Sequence, residues 1–202
     1  MQKSAIVLGG GFSRRFGRDK GLVLLKDKPL VSHVIDQISP LVDLVVVVVS
    51  SEKQKKDFKK ILGNNINIII DEYQTQTPLV GTITGFQEIE NGYSVLLPCD
   101  APLISRNIIS FLFDLRFNRQ AVIPRWPSGY IEPLQAVYHI KSSLVAAKIA
   151  LDQGCMNMRS MINNLYKVRY VSTLVLKQID NLESFFNINT QQDLEKAESF
   201  MN

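Results

Sequence analysis

The chain has 202 residues, 46% of them hydrophobic and 21% charged, with a formal net charge of +4 spread along its length. That is enough chain for one domain with a real core, and the composition is that of ordinary soluble proteins. The longest apolar run, Leu44 to Val49, falls far short of the ~20 residues a bilayer requires.

In chain order, Ser4 to Leu8 is a short apolar run that predicts a buried strand. A first strand starting almost at Met1 leads us to expect no signal peptide, and the two cysteines, Cys99 and Cys155, are expected to make neither a disulfide framework nor a zinc site. A cytoplasmic enzyme with free thiols is therefore expected. Leu22–Leu25 is strand-like and runs into the polar turn Lys26–Lys28. Pro29 then opens a helix with Val31, Val34, Ile35 and Ile38 on one face. Leu44–Val49 is an unbroken β-branched run, the pattern of a central strand covered on both faces.

Ser51 with Gln54 predicts a capping box, and Gly63 a stop, for a basic helix. Its lysines, Lys53 to Lys60, are assigned to a solvated face over a buried stripe of Phe58, Ile61 and Leu62, not to a nucleic-acid patch. Ile66–Ile70 is a third strand, closing on Asp71, and Pro78 opens a helix through Phe86 and Ile89. Ser94–Leu97 is a strand stopped by Pro98, and Ser105 caps the next helix. Beyond Ala121 the rhythm loosens: strands at Ala121–Ile123, Leu134–Tyr138 and Val168–Val171, helices at Ser142–Leu151 and Met156–Leu165. Thr190 with Asp193 predicts a capping box for a last helix carrying Leu194, Ala197 and Met201. Alternating strands and helices predict an α/β fold with a mostly parallel sheet, and no linker marks a second domain.

The most informative stretch follows the first strand: Gly9, Gly10 and Gly11, then Arg14, Arg15, Arg18 and Lys20. Glycines let backbone N–H groups approach an anion, and cations close behind suit a nucleoside triphosphate. It is not a P-loop, because Gly17 is followed by Arg18-Asp19-Lys20-Gly21 and no lysine–serine or lysine–threonine pair. Nor is it a dinucleotide fingerprint, because Arg14 stands where the third glycine must be.

Leu8 to Gly17 with Asp19-Lys20 resembles the L-A-G-G-x-S-x-R-M-G-x-D-K signature of nucleotidyltransferases with a Rossmann-like sheet, and most of all the molybdenum cofactor guanylyltransferases. Gly21-Leu22 through Lys28-Pro29-Leu30-Val31 matches the family's second segment. Pro78-Leu79-Val80-Gly81 matches P-L-x-G, Pro98 to Pro102 matches P-C-D-x-P, and Asn187 to Thr190 matches N-x-N-T. Three positions depart from the pattern: Gly9 for alanine, Phe16 for methionine and Gln191 for proline. The resemblance implies a three-layer α/β/α domain over residues 1–202, of the nucleotide-diphospho-sugar transferase type. Residues 1–120 would bind the nucleotide and 121–202 the acceptor.

It also implies a reaction, transfer of GMP from GTP to the terminal phosphate of molybdopterin carrying molybdenum or tungsten, with Mg²⁺ as cofactor and pyrophosphate released. Both reactants are anions, so charge neutralisation and alignment dominate and no dedicated base is needed. Lys20 is assigned to the transferring phosphate and Arg15 to the triphosphate as a multi-donor partner. Arg14 and Arg18 are left to solvent. Leu8, Gly9, Gly10 and Gly11 form the nucleotide loop, and a glycine at 10 favours guanine, since cytidylyl relatives tend to have A-A-G. Asp100 would hold the metal, since Mg²⁺ takes one or two carboxylates and completes its shell with phosphate and water.

By resemblance Asp71 contacts guanosine, at the base or the ribose, with Gly81 letting its loop pack on the base. Asn187 and Asn189 resemble acceptor-side or metal-side asparagines. Trp126 and Tyr130 either stack on the pterin or pack locally. Transient contact with enzymes that receive the cofactor is implied, and neither nucleic acid nor membrane is expected as a partner. The alternatives are cytidylyl transfer to the same pterin, guanylyl transfer to a cobamide precursor, and a non-catalytic nucleotide-binding module.

Overall fold

Alternation along two runs organises the molecule. In Lys3–Leu8 (β1), Ala5 and Val7 face one apolar cluster and Ile6 the other. In Leu44–Val49 (β2), Val45, Val47 and Val49 face the first cluster and Val46 and Val48 the second. Side chains alternate across a strand, so both faces of the sheet need a covering layer. The computed structural model describes residues 2–201 apart from Gly11, Arg14, Arg15, Gly17, Glu72 and Gln74.

The covering layers come from the intervening segments. Leu30–Ile38 (α1), Glu52–Leu62 (α2) and Arg106–Asp114 (α4) close one face through Val34, Phe58 and Leu112. Pro78–Glu88 (α3), Ile140–Asp152 (α5) and Met158–Asn163 (α6) close the other through Ile83, Ala147 and Met161. The remaining strands are Asn67–Ile70 (β3), Tyr93–Pro98 (β4), Ala121–Arg125 (β5), Ala136–His139 (β6) and Val168–Ser172 (β7). They pair in the order β7-β5-β6-β4-β1-β2-β3, with β6 alone antiparallel to its neighbours. This is the expected three-layer α/β/α fold with a mostly parallel sheet.

Five local features differ from expectation. Leu22–Leu25 is not a sheet strand: Lys20–Leu22 is a 3₁₀ turn, and Leu24–Leu25 pairs only with Lys28–Pro29. The reason is the turn, where Lys26 and Asp27 both take positive φ, 46° and 60°, a geometry that folds a chain back within two residues. On α2 the inward row is Gln54, Phe58 and half-buried Leu62, spaced four apart, while Ile61 is 40% exposed. Ser51 Oγ does accept from the Gln54 N–H, but the glutamine side chain turns elsewhere, so the box is half made. Finally, Thr173–Leu176 (α7) adds a short turn after β7, and Met201 lies past the end of Gln191–Phe200 (α8), 39% exposed.

The capping box of α8 is complete, with Thr190 and Asp193 bonded reciprocally. Leu194 and Ala197 seat this helix on Val23, Leu25, Leu30 and Ile188 in a third, small cluster. The C-terminal segment is thereby anchored beside the residues that follow the glycine loop.

Candidate active site

The carboxyl ends of β1, β2, β3 and β4 share one edge of the sheet. The chain leaves β1 outward to β2 and β3, then crosses to β4 on the other side. Such a switch point opens a crevice where ligands of open α/β sheets bind. Here the crevice is a cleft of 470 Å³, with Leu8, Gly10, Lys20, Asp71, Gly81 and Asp100 in its walls.

Its polar focus joins three distant parts of the chain. Lys20 Nζ donates to Asp100 Oδ2 at 3.0 Å and to Asn189 Oδ1 at 2.6 Å. Both ion-pair partners are partly covered, with side-chain exposures of 28% for Lys20 and 14% for Asp100. The Asp100 carbonyl also accepts from the Ile188 N–H at 2.8 Å, and this bond docks residues 187–189 against the end of β4. Asn187 reaches the cleft wall. The Asp193 carboxylate accepts from the N–H groups of Asn189 and Thr190, so the cap of α8 fixes the backbone that carries Asn189.

The other wall is built on β2, β3 and α3. Asp71 is 8% exposed; its Oδ1 accepts from the Tyr73 N–H and the Thr84 hydroxyl. Burial pushes its carboxyl above the usual range, and those two hydrogen bonds only partly offset this. Gly81 leaves room beside it: a methyl group there would lie 3.3 Å from Leu8 Cδ2 and 3.9 Å from Asp71 Oδ2. Gly10 faces the cleft next to Ser50. Gly9 does not; it is buried, donates to the Val48 carbonyl, and would place a methyl group 2.9 Å from Phe58 Cε1. The phenyl ring thus fills the space where the family pattern has an alanine methyl.

Gly11 and Arg15, and Arg14 beside them, lie outside the described residues. Tyr130 is exposed. Trp126 packs locally, its ring edge-on to Phe185 and its Nε1 donating to Glu132. Cys99 is buried, and burial together with the Asp100 charge pushes its thiol well up, which leaves it an inert filler. His33 Nε2 meets the Leu25 carbonyl, and His139 caps α5. Sequence patterns gave no sign of Ser50, Gln76, Thr77 or Leu134 in the cleft.

No group of three or more His, Cys, Asp or Glu side chains converges among the described residues. The donor set at this focus is one carboxylate, Asp100, with the Asn189 amide oxygen 2.6 Å from Lys20 Nζ and Asn187 lining the cleft on the same strap. Hard oxygen donors of this kind fit Mg²⁺, whose remaining positions go to phosphate and water. No helix among the described residues is long and apolar enough to cross a membrane.

Comparison with known proteins agrees with the fold. Residues 5–168 match the family model described as the MobA-like NTP transferase domain. A probable molybdenum cofactor guanylyltransferase of Natranaerobius thermophilus is 33% identical, over 98% of this chain and 96% of its own length. One of Pyrococcus horikoshii is 32% identical, over 96% and 98% respectively. Among solved structures, molybdopterin-guanine dinucleotide biosynthesis protein A of Archaeoglobus fulgidus superposes with a TM-score of 0.83 at 29% identity, covering 98% of each chain.

Proposed function

The chain belongs to the MobA-like NTP transferase family and is a nucleotidyltransferase, and from that premise we propose that it transfers GMP from GTP to the terminal phosphate of molybdopterin bearing molybdenum or tungsten. The observation that carries this reading is the convergence of Lys20, Asp100 and Asn189 at the mouth of the cleft. Those are the residues needed where an anionic acceptor meets an anionic donor.

In this reading an acceptor phosphate oxygen attacks the α-phosphorus of GTP in line. The new P–O bond forms as the α–β bridging bond breaks, and pyrophosphate leaves with the electron pair. Lys20 neutralises charge gathering on the transferring phosphate, and Arg15 grips the triphosphate. Asp71 accepts hydrogen bonds from the guanine edge or the ribose, with Gly81 giving close approach. Bound by Asp100, with Asn187 and Asn189 at hand, Mg²⁺ would supply charge neutralisation on the phosphates. The acceptor phosphate is already ionised at neutral pH, so no protein base is required. The engagement of both histidines elsewhere agrees with that. Residues 1–120 serve the nucleotide and 121–202 the acceptor.

The test is pyrophosphate release with Mg²⁺, molybdopterin and each nucleoside triphosphate in turn. Release with GTP that requires the pterin is the expected result. Release with CTP would move the assignment to cytidylyl transfer, a need for a cobamide precursor would move the acceptor, and binding without release would leave a nucleotide-binding module.

A further inference from the structure

We propose that Gln54 is a positioning residue for Lys20, acting through the carboxylate of Asp19; the inference rests on the phosphate-facing role given to Lys20 above. Gln54 is 5% exposed, although it belongs to a helix whose neighbouring positions carry lysines. A buried primary amide must find partners for its donors and acceptor. Its Oε1 accepts from the Ser50 N–H and the Ser50 hydroxyl, each at 2.7 Å, and its Nε2 donates to Asp19 Oδ1 at 2.7 Å.

These partners sit at two places that the reaction uses. Ser50 directly follows β2 in the cleft wall, where its carbonyl accepts from Gln76 Nε2 at 3.4 Å. Asp19 immediately precedes Lys20. One helical turn further along α2, the Phe58 ring lies beneath Gly21, where a methyl group would come within 2.7 Å of it. Helix α2 therefore holds the residues on both sides of Lys20, one by a charge-assisted hydrogen bond and one by packing. Asp19, Lys20 and Asp100 all lie close enough to act on the Cys99 thiol.

Reversing the polarity of one bond tests this. Gln54→Glu sets two carboxylates against each other, whereas Gln54→Glu combined with Asp19→Asn restores a donor facing an acceptor and leaves the Ser50 bonds intact. A misplaced catalytic group costs ~10²-fold. Gln54→Glu is therefore expected to lower kcat by about that factor while KM for GTP stays within about threefold. The double variant should return to within about threefold of Asp19→Asn alone. In the ligand-free protein, amide hydrogen exchange over residues 18–22 should quicken in Gln54→Glu and recover in the double variant, with the far-ultraviolet circular dichroism of both unchanged. If Gln54→Glu turns over and exchanges as the native chain does, or if the second substitution rescues neither readout, Gln54 does not position Lys20. Because exchange needs no substrate, it decides this question even if the native chain releases no pyrophosphate, a result that would overturn only the guanylyl reading.

Discussion

Burial costs the Asp71 carboxylate more than the Tyr73 N–H and the Thr84 hydroxyl return, so its folded pKa lies above the ordinary 3.8. Between those two values the folded state holds more protons than the unfolded chain, and stability falls as pH rises through that window. At neutral pH the ionised side chain is then a net cost to the fold, which suits the nucleotide-binding role proposed for it. Asp71→Asn retains an acceptor for both donors. It should raise the urea midpoint at neutral pH, with the advantage fading below the ordinary carboxylate range. It should also weaken GTP by about tenfold or more, the loss of one charged hydrogen bond. A variant no more stable than the native chain would contradict this account. For the opposite wall, Lys20→Ala should lower kcat by at least the ~10²-fold typical of a lost transition-state contact. Asp100→Ala should abolish turnover and weaken GTP binding, with circular dichroism unchanged. Normal turnover of Asp100→Ala with Mg²⁺ would remove the metal assignment.

At the scale of elements, α3 lies so close to β1 that a helix-interior glycine becomes a packing requirement. A methyl group on Gly85 would fall 2.6 Å from Cγ2 of Ile6, which is fully buried and has no room to retreat. Alanine ordinarily gains ~1 kcal/mol over glycine in a helix, but overpacking a tight core costs ~1–3 kcal/mol. Gly85→Ala is therefore expected to lose about 1 kcal/mol in equilibrium urea unfolding; a gain in stability would mean that the sheet yields more easily than this contact implies. At the C-terminus, partial burial pushes the Asp193 carboxyl up, but the bonds from Asn189 and Thr190 outweigh it and hold it below the ordinary value. That contribution is present above 3.8 and fades as pH falls through the lower, folded value, so acid loosens the seat of Asn189.

Across the whole molecule, ligand binding should tie the halves together. The cleft wall proposed to hold the nucleotide belongs to β1, β2, β3 and α3, whereas Asn189 arrives from a segment anchored by α8. GTP with Mg²⁺ at ~100 times its Kd should add about 2.7 kcal/mol to unfolding, and CTP should add much less. Calorimetric scans with each nucleotide check the base preference without any acceptor. Equal shifts for both would remove Gly10 as evidence for guanine.

Much of this protein is written along the chain. The β-branched run at Leu44–Val49 has no polar face, so it could only be an inner strand. The glycines and cations after Leu8, the aspartate after Pro98 and the Thr190–Asp193 cap each announce themselves over a few neighbouring residues. Those signals are local, and local chemistry is what periodicity and spacing report. The rest depends on partners far off in sequence. Lys20 meets Asn189 across 169 positions, the Gln54 amide leaves its own helix cap to hold Asp19, and Phe58 fills the space beside two glycines. Which distant groups come within hydrogen-bonding reach is settled only when the sheet closes and its two layers pack, because hydrogen bonds and van der Waals contacts act over a few ångströms of space and carry no record of separation along the chain.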